Sequence, residues 1–256
     1  MDYMACNVEK RLDPTLLMPG VKSIVCVALN YTPGRRMPDG EPQIAAYALG
    51  QDYHDIVKSR LRTLASRLGI TNYRAFCDTA PVLERYWAAQ AGLGWIGRNH
   101  QLIIPHAGSM FFLGELFLDI ELDYDAPIPS RCGTCHACID ACPTGALCLD
   151  GTFHSPHCLS YLTIEHRGDL PKDIGCKMGD YIYGCDRCQS ACPHNRFATP
   201  NDDPQLQPKP ELLGMTLSDW QSLTVEQYRS LFKGSAVKRA KYEGLKRNID
   251  AVTNTL

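Results

Sequence analysis

The chain has 256 residues, 45% of them hydrophobic and 21% charged, with 26 basic against 28 acidic side chains. That length buries a full core, as one large domain or as a main domain with a smaller one attached. The near-balance of charge excludes a polyelectrolyte role for the whole chain, and its longest apolar run, residues 24–29, is too short to span a bilayer.

Residues 1–125 read as α/β. A β-branched and apolar run at 21–31, after Pro19-Gly20, predicts a buried strand. Tyr53, Ile56, Val57, Leu61, Leu64 and Leu68 fall at helical spacing, and Gly69 supplies the stop. Residues 73–77 predict a short strand. A second helix is expected from Pro81 to Ala91, with Asp78 and Thr79 as candidate caps. Gly92-Leu93-Gly94-Trp95-Ile96-Gly97 matches the dinucleotide fingerprint G-x-G-x-x-G, but it ends a helix instead of opening one. No acidic residue follows in a second strand, so a helix C-cap and tight loop is the reading. Two further strands are expected at 102–104 and 110–118. Residues 126–200 form a cysteine-rich segment full of Gly, Pro and Asp turns, and 201–256 begin as a Pro-rich linker and end as helices.

Eight of the thirteen cysteines make two interlocking blocks. The first is Cys132-x2-Cys135-x2-Cys138-x3-Cys142-Pro143; the second is Cys158 followed by Cys185-x2-Cys188-x3-Cys192-Pro193. This is the bacterial two-cluster ferredoxin run, in which the fourth cysteine of a block ligates the other cluster. One [4Fe–4S] cluster then takes Cys132, Cys135, Cys138 and Cys192, and the second takes Cys142, Cys158, Cys185 and Cys188. Three thiolates on a tight turn cap three corners of the cube, and proline after the fourth cysteine aims the chain away. Zinc shares the Cys-x2-Cys spacing but not the x2-x2-x3-Cys-Pro run. A disulfide framework is not needed at this length. Of the remaining cysteines, Cys26 and Cys77 are expected as small buried apolar residues, and Cys6, Cys148 and Cys176 receive no role.

No basic–apolar leader precedes the first predicted elements, and Arg35-Arg36 has no apolar stretch after it; with so many reduced cysteines the expected compartment is the cytoplasm. The tail hides a local asymmetry. Between residues 229 and 248, Arg229, Lys233, Lys238, Arg239, Lys241, Lys246 and Arg247 face a single acidic residue, Glu243. Tyr228, Phe232 and Tyr242 are interleaved, which suits either a phosphate-backbone surface or an ordinary solvated helix.

Lys10-Arg11-Leu12-Asp13-Pro14, Asp52-Tyr53-His54, the block from Asp78 to Arg85, the loop from Ala91 to Gly97, the block from Cys158 to Glu165 and Lys246-Arg247-Asn248 together resemble the epoxyqueuosine reductases. The Asp78 and Cys158 blocks are the specific parts; the cysteine spacing alone is shared with many ferredoxins. The resemblance spans nearly the whole chain, read as a short form lacking part of the N-terminus. It implies a nitroreductase-like α/β domain (1–125) holding cobalamin, a two-[4Fe–4S] ferredoxin-like domain (126–200) and a basic helical tail (201–256). It further implies a cytoplasmic monomer off the membrane that takes electrons from a low-potential donor, passes them through both clusters to cobalamin, and reduces epoxyqueuosine in tRNA to queuosine. Asp78 is then the proton donor beside the cofactor, and Ser160 and Asp186 lie at the cofactor junction. Lys238, Arg239 and Lys241 contact tRNA. With no Asp-x-His-x-x-Gly segment, the cobalamin is expected base-off without a histidine ligand. The competing reading is a small-molecule cobalamin and iron–sulfur reductase akin to reductive dehalogenases; a plain two-cluster electron carrier would leave the first 125 residues idle.

Overall fold

The computed structural model describes residues 5–254. Its strands are β1 Ser23–Asn30, β2 Gln43–Ile44, β3 Tyr73–Phe76, β4 Trp95–Ile96, β5 Leu102–Ile103, β6 Phe111–Leu118 and β7 Tyr181–Tyr183. The helices, in chain order, are α1 Val8–Leu12, α2 Tyr53–Arg67, α3 Glu84–Gln90, α4 Ala137–Asp140, α5 Leu159–Ile164, α6 Gly175–Met178, α7 Arg187–Ser190, α8 Pro210–Leu213, α9 Leu217–Gln221, α10 Val225–Leu231 and α11 Lys241–Thr253. Among the described residues no helix is long and apolar enough to cross a membrane.

Backbone contacts group the chain into two units. The first takes the chain up to Asn30, Tyr53–Cys135 and Pro193–Thr199; the second takes Tyr31–Asp52, His136–Cys192 and Pro200–Leu256. These differ from divisions drawn at 125 and 200. The segment before α2 belongs with the second unit because β2 pairs with β7 in parallel, a link that composition does not reveal.

The first unit is a mixed helix-and-sheet body. Its main sheet runs β1-β6-β3, with β6 antiparallel to both neighbours. Helices and strands mix here as the α/β reading expects, with strand pairing that is antiparallel throughout this sheet. Alternation along β6 divides the two faces. Gly114 lies under α2, where an added Cβ would meet Val57 and Leu61. The next residue, Glu115, stands on the opposite face, level with Cys26 and Phe76. There Phe76, Phe117, Val82, Leu17 and Met18 form a core, with Trp87 of α3 packed on it.

The predicted helix at 81 begins three residues later, at Glu84, and its N-cap is Leu83 with no side-chain cap bond. Asp78 and Thr79 are therefore not the N-cap of α3. The intervening residues are spent on two tight turns, Thr79 N–H to the Cys77 carbonyl at 2.6 Å and Val82 N–H to the Ala80 carbonyl at 2.8 Å. The glycine loop behaves as expected: Gly92 adopts φ 69° at the end of α3, and β4 then pairs with β5. A Cβ on Gly94 would run into the Ile103 carbonyl, so the hairpin closes only over glycine.

The second unit is built around α11, whose Leu245, Ile249 and Val252 are fully buried at helical spacing. They join Trp220, Ile182 and Met178 in one core. Capping boxes Thr216/Asp219 and Thr224/Gln227 start α9 and α10.

Candidate active site and cluster cysteines

Asp78 follows β3 in a left-handed backbone, φ 57°. Aspartate tolerates this region better than most residues, yet the conformation is disfavoured and must be held from outside. Tyr53, His54 and Glu84 supply contacts that hold it. The Tyr53 hydroxyl reaches Asp78 Oδ2 at 2.6 Å, His54 Nε2 meets the same oxygen at 3.1 Å, and the Asp78 N–H donates to Glu84 Oε1. Tyr53 and His54 open α2, whose N-terminal end favours negative charge, and both meet the carboxylate; Glu84 opens α3 and takes the backbone amide instead. Tyr53 is itself fixed by stacking on Phe112, centroids 4.1 Å apart at 2°. The Asp78 side chain is 57% exposed.

Behind this loop lie two more carboxyls. Glu115 is fully buried and neither of its oxygens reaches a hydrogen-bond partner. Burial pushes it well above the ordinary carboxyl range, and the neighbouring Glu84 charge adds to this. Burial also raises Glu84, against the Asp78 amide, which pulls it down. Each group feels the other, through charge and through a carboxyl–carboxyl interaction that raises Glu115 and lowers Glu84. Two like charges so placed in a dry setting cannot both be ionised, so the pair holds a proton. Cys26 and Cys77 border them; burial first, then these carboxylates, raises Cys26 to about 12 and Cys77 higher still. Both thiols stay neutral, as expected of small packing residues.

The cysteines of the proposed second cluster all lie in the second unit. Burial raises Cys188, and the charges of Cys185, Cys158, Cys138 and Cys142 raise it further. Burial likewise lifts Cys185 to about 12, with Cys158 among the contributors, and Cys158 feels Cys142. Four thiols close enough to repel one another need a cation between them to be thiolates. Among the described residues no three His, Cys, Asp or Glu side chains converge as a single-ion site requires. A cubane, which takes one thiolate at each of four corners, asks for the wider set. Burial raises Cys142 too, but the amides of Leu147, Thr144 and Ala146 and the Thr144 hydroxyl overcome it, and its net shift is downward. In the first unit, Trp95 is buried, its indole N–H reaches Cys132 Sγ at 3.5 Å, and Arg98 holds the Gly133 carbonyl at 3.0 Å. The glycine loop thus seats the turn that opens the cysteine run.

Ser160 is half-buried on the first turn of α5, and its amide points at the Cys158 sulfur. Asp186, between Cys185 and Cys188, is 2% exposed and accepts the Ala46 N–H at 2.7 Å. Burial lifts it to about 6, against that amide and Arg36. Its oxygen ties the segment carrying β2 to the turn between Cys185 and Cys188. Of the basic tail, Arg239 makes a double hydrogen bond to Glu165, 2.8 Å on each arm. Arg247 donates to the carbonyls of Leu162, His166 and Gly168. Arg229, Lys233, Lys238 and Lys241 are exposed.

All eight histidines are engaged: His54 with Asp78, His136 with Asp140, His154 with His157, His166 with the Asp169 carbonyl, His106 on Phe197 and His194 on Trp95, with His100 also partnered.

Comparison with known proteins gives this geometry a family. Residues 11–79 match the family model "Epoxyqueuosine reductase QueG, DUF1730", and 131–195 match a 4Fe-4S double cluster binding domain. The epoxyqueuosine reductase of Cellulophaga algicola is 45% identical over 254 residues, covering 98% of this chain and 83% of its own. The chain belongs to the epoxyqueuosine reductase family. The Pseudomonas aeruginosa member is 42% identical over 97% of this chain and 72% of its own. A crystal structure of an epoxyqueuosine reductase with an epoxyqueuosine-modified tRNA-Tyr stem loop superposes with a TM-score of 0.87 at 31% identity, over 98% of this chain and 69% of that one. The Bacillus subtilis enzyme, captured with an aspartate-bearing catalytic loop swung out of the active site, gives 0.88 at 30% identity, with the same coverage.

The residues that the sequence did not single out are Glu84 and Glu115. A glutamate amid Phe111-Phe112-Leu113-Gly114-Glu115-Leu116-Phe117-Leu118 is the signal that was available, since a charge inside an apolar strand is out of place unless it is used.

Proposed function

We propose that the chain reduces epoxyqueuosine in tRNA to queuosine, with Asp78 as the acid. The observation that carries this reading is the Asp78 carboxyl, presented to solvent on a left-handed turn while Tyr53 and His54 fix its direction. The C–O bonds of the epoxide break, a C=C bond forms, and the oxygen leaves as water; two electrons and two protons are consumed. A low-potential donor supplies the electrons through the two clusters, held by Cys132, Cys135, Cys138 and Cys192 and by Cys142, Cys158, Cys185 and Cys188. Cobalamin, when bound, supplies the low-potential centre that passes them to the substrate. Base-off binding without a histidine ligand is supported by the lack of an Asp-x-His-x-x-Gly segment in the sequence, and a nitroreductase-like first unit by its antiparallel sheet flanked by α2 and α3.

The chain's own part is positional and protic. Tyr53 and His54 orient Asp78 toward the epoxide oxygen, Asp78 hands it a proton, and water replenishes the acid from the open side. Ser160 and Asp186 line the cofactor side of the second cluster, and Lys238, Arg239 and Lys241 meet the tRNA backbone. Asp78→Asn keeps size and polarity but carries no acidic proton. It should retain both clusters and bind cobalamin while losing most epoxide reduction; turnover at the parent rate would place the acid elsewhere.

A further inference from the structure

Asp78 sits in a backbone conformation that costs energy, on a loop with no regular structure, and yet its carboxyl is aimed. The Tyr53 and His54 contacts act on the side chain. On the main chain, the Glu84 carboxylate accepts the Asp78 N–H. A carboxylate accepts such a bond roughly twice as strongly as a neutral acceptor, so the grip depends on Glu84 being charged. Whether it is charged is decided by its neighbour. Glu115 stands on β6 in register with Cys26 of β1 and Phe76 of β3, fully buried, with both oxygens unpartnered. An ionised Glu115 there would be a buried charge without a counter-ion, so Glu115 keeps the shared proton and leaves Glu84 as the anion.

We propose that Glu84 and Glu115 form a one-proton clasp that holds the Asp78 loop in its working position, Glu84 as the positioning residue and Glu115 as the keeper of the proton. This rests on the reading of Asp78 as the acid. With one proton on the pair, Glu84 grips the Asp78 amide and the carboxyl faces the substrate. A second proton neutralises Glu84, the grip weakens, and the strained turn is released. The groups facing the pair are Tyr53, His54 and Lys58 from α2, Cys26 from β1, Cys77 and Asp78 from the loop, and Arg85 from α3. Burial, with the Asp78 and Glu84 charges, keeps Tyr53 neutral, and the two thiols are neutral as well.

The test reads the loop directly. Amide hydrogen exchange of residues 77–83, corrected for intrinsic chemistry, is followed against pH in the cluster-loaded chain, beside the pH profile of kcat on an epoxyqueuosine stem loop with cobalamin added. In the parent, protection and kcat should fall together on an acid limb lying above the ordinary carboxyl range. Glu84→Gln should abolish that limb, leave protection about tenfold lower at every pH, as expected for a neutral acceptor in place of a charged one, and lower kcat without raising KM. Glu115→Gln, permanently neutral, should keep the acid limb and extend protection to higher pH. Asp78→Asn retains the amide, so its exchange limb should persist while turnover is lost. If Glu84→Gln shows the parent's limb, or the parent loop shows no pH dependence beyond intrinsic exchange, the clasp is wrong while the Asp78 reading stands. If Asp78→Asn turns over normally, the acid role falls, and the exchange profiles alone judge the clasp.

Discussion

Asn248 offers a stability test of the tail. It is fully buried on α11, and its amide donates to the Thr163 carbonyl at 2.8 Å and the Ile182 carbonyl at 2.9 Å. Its oxygen accepts from Arg247, at 3.1 Å and 2.9 Å. One side chain therefore joins α11 to the end of α5 and to β7. Asn248→Leu fills a similar volume but leaves two buried carbonyls unpaired. Each such loss costs about 1–3 kcal/mol, so the variant should lose on the order of 2–6 kcal/mol. Anaerobic urea unfolding followed by far-UV circular dichroism measures it, and with slopes of about 1–3 kcal/mol/M the midpoint should drop by on the order of 1–3 M. Asn248→Asp should also destabilise, because it turns an acceptor toward two acceptors. A midpoint within error of the parent would refute the bracing role and return Lys246-Arg247-Asn248 to the solvent-facing surface.

The cluster assignment predicts about eight iron and eight sulfide per chain, with Cys158→Ser damaging the second cluster and Cys148→Ser leaving both intact; two tightly bound zinc ions and no iron–sulfur absorbance would end it. Neutralising Lys238, Arg239 and Lys241 together should weaken tRNA binding and flatten its salt dependence, because fewer counterions are released; an unchanged slope would leave them as a solvated face. Burial raises Glu115 above its ordinary value of 4.5, so the native chain keeps a proton that the unfolded chain loses. Parent stability therefore falls as pH rises from that ordinary value toward the raised one, by up to about 1.4 kcal/mol per pH unit. Glu115→Gln should remove this slope, its Tm exceeding the parent's by a margin that widens with pH; parallel profiles would refute the shift.

Local sequence revealed what local forces decide. The run at 21–31 is β1 because β-branched residues fill both of its faces, and 53–67 is α2 because its apolar residues recur at helical spacing before a glycine at φ 69°. Sheet direction was not legible, because β1 pairs with β6, Ser23 opposite Leu118, and nothing near either strand announces a partner so distant. The start of α3 was misread because Pro81 is a good first helical residue in isolation. Here it lies between two tight turns that bring Glu84 back to the Asp78 amide.

The same division separates the legible from the hidden parts of the site. Cysteine spacing is a local pattern, and it is what the proposed ligand sets of the two clusters rest on, within the span that matches a 4Fe-4S double cluster binding domain. Asp78 was singled out through a resemblance, but its surroundings were not legible, because Tyr53, His54, Glu84 and Glu115 come from three elements. Charge counting failed differently in the tail. Seven basic residues looked like one surface, yet Arg239 is engaged by Glu165, Arg247 by three carbonyls, and Lys246 by the Gln221 carbonyl and Asp250. A count of charges records how many exist, whereas a surface is made by those the fold leaves unspent. On that ground Lys238 and Lys241, with Arg229 and Lys233 nearby in sequence, carry more of the tRNA reading than Arg239 does, since recruiting Arg239 to a phosphate requires giving up its two-armed bond to Glu165.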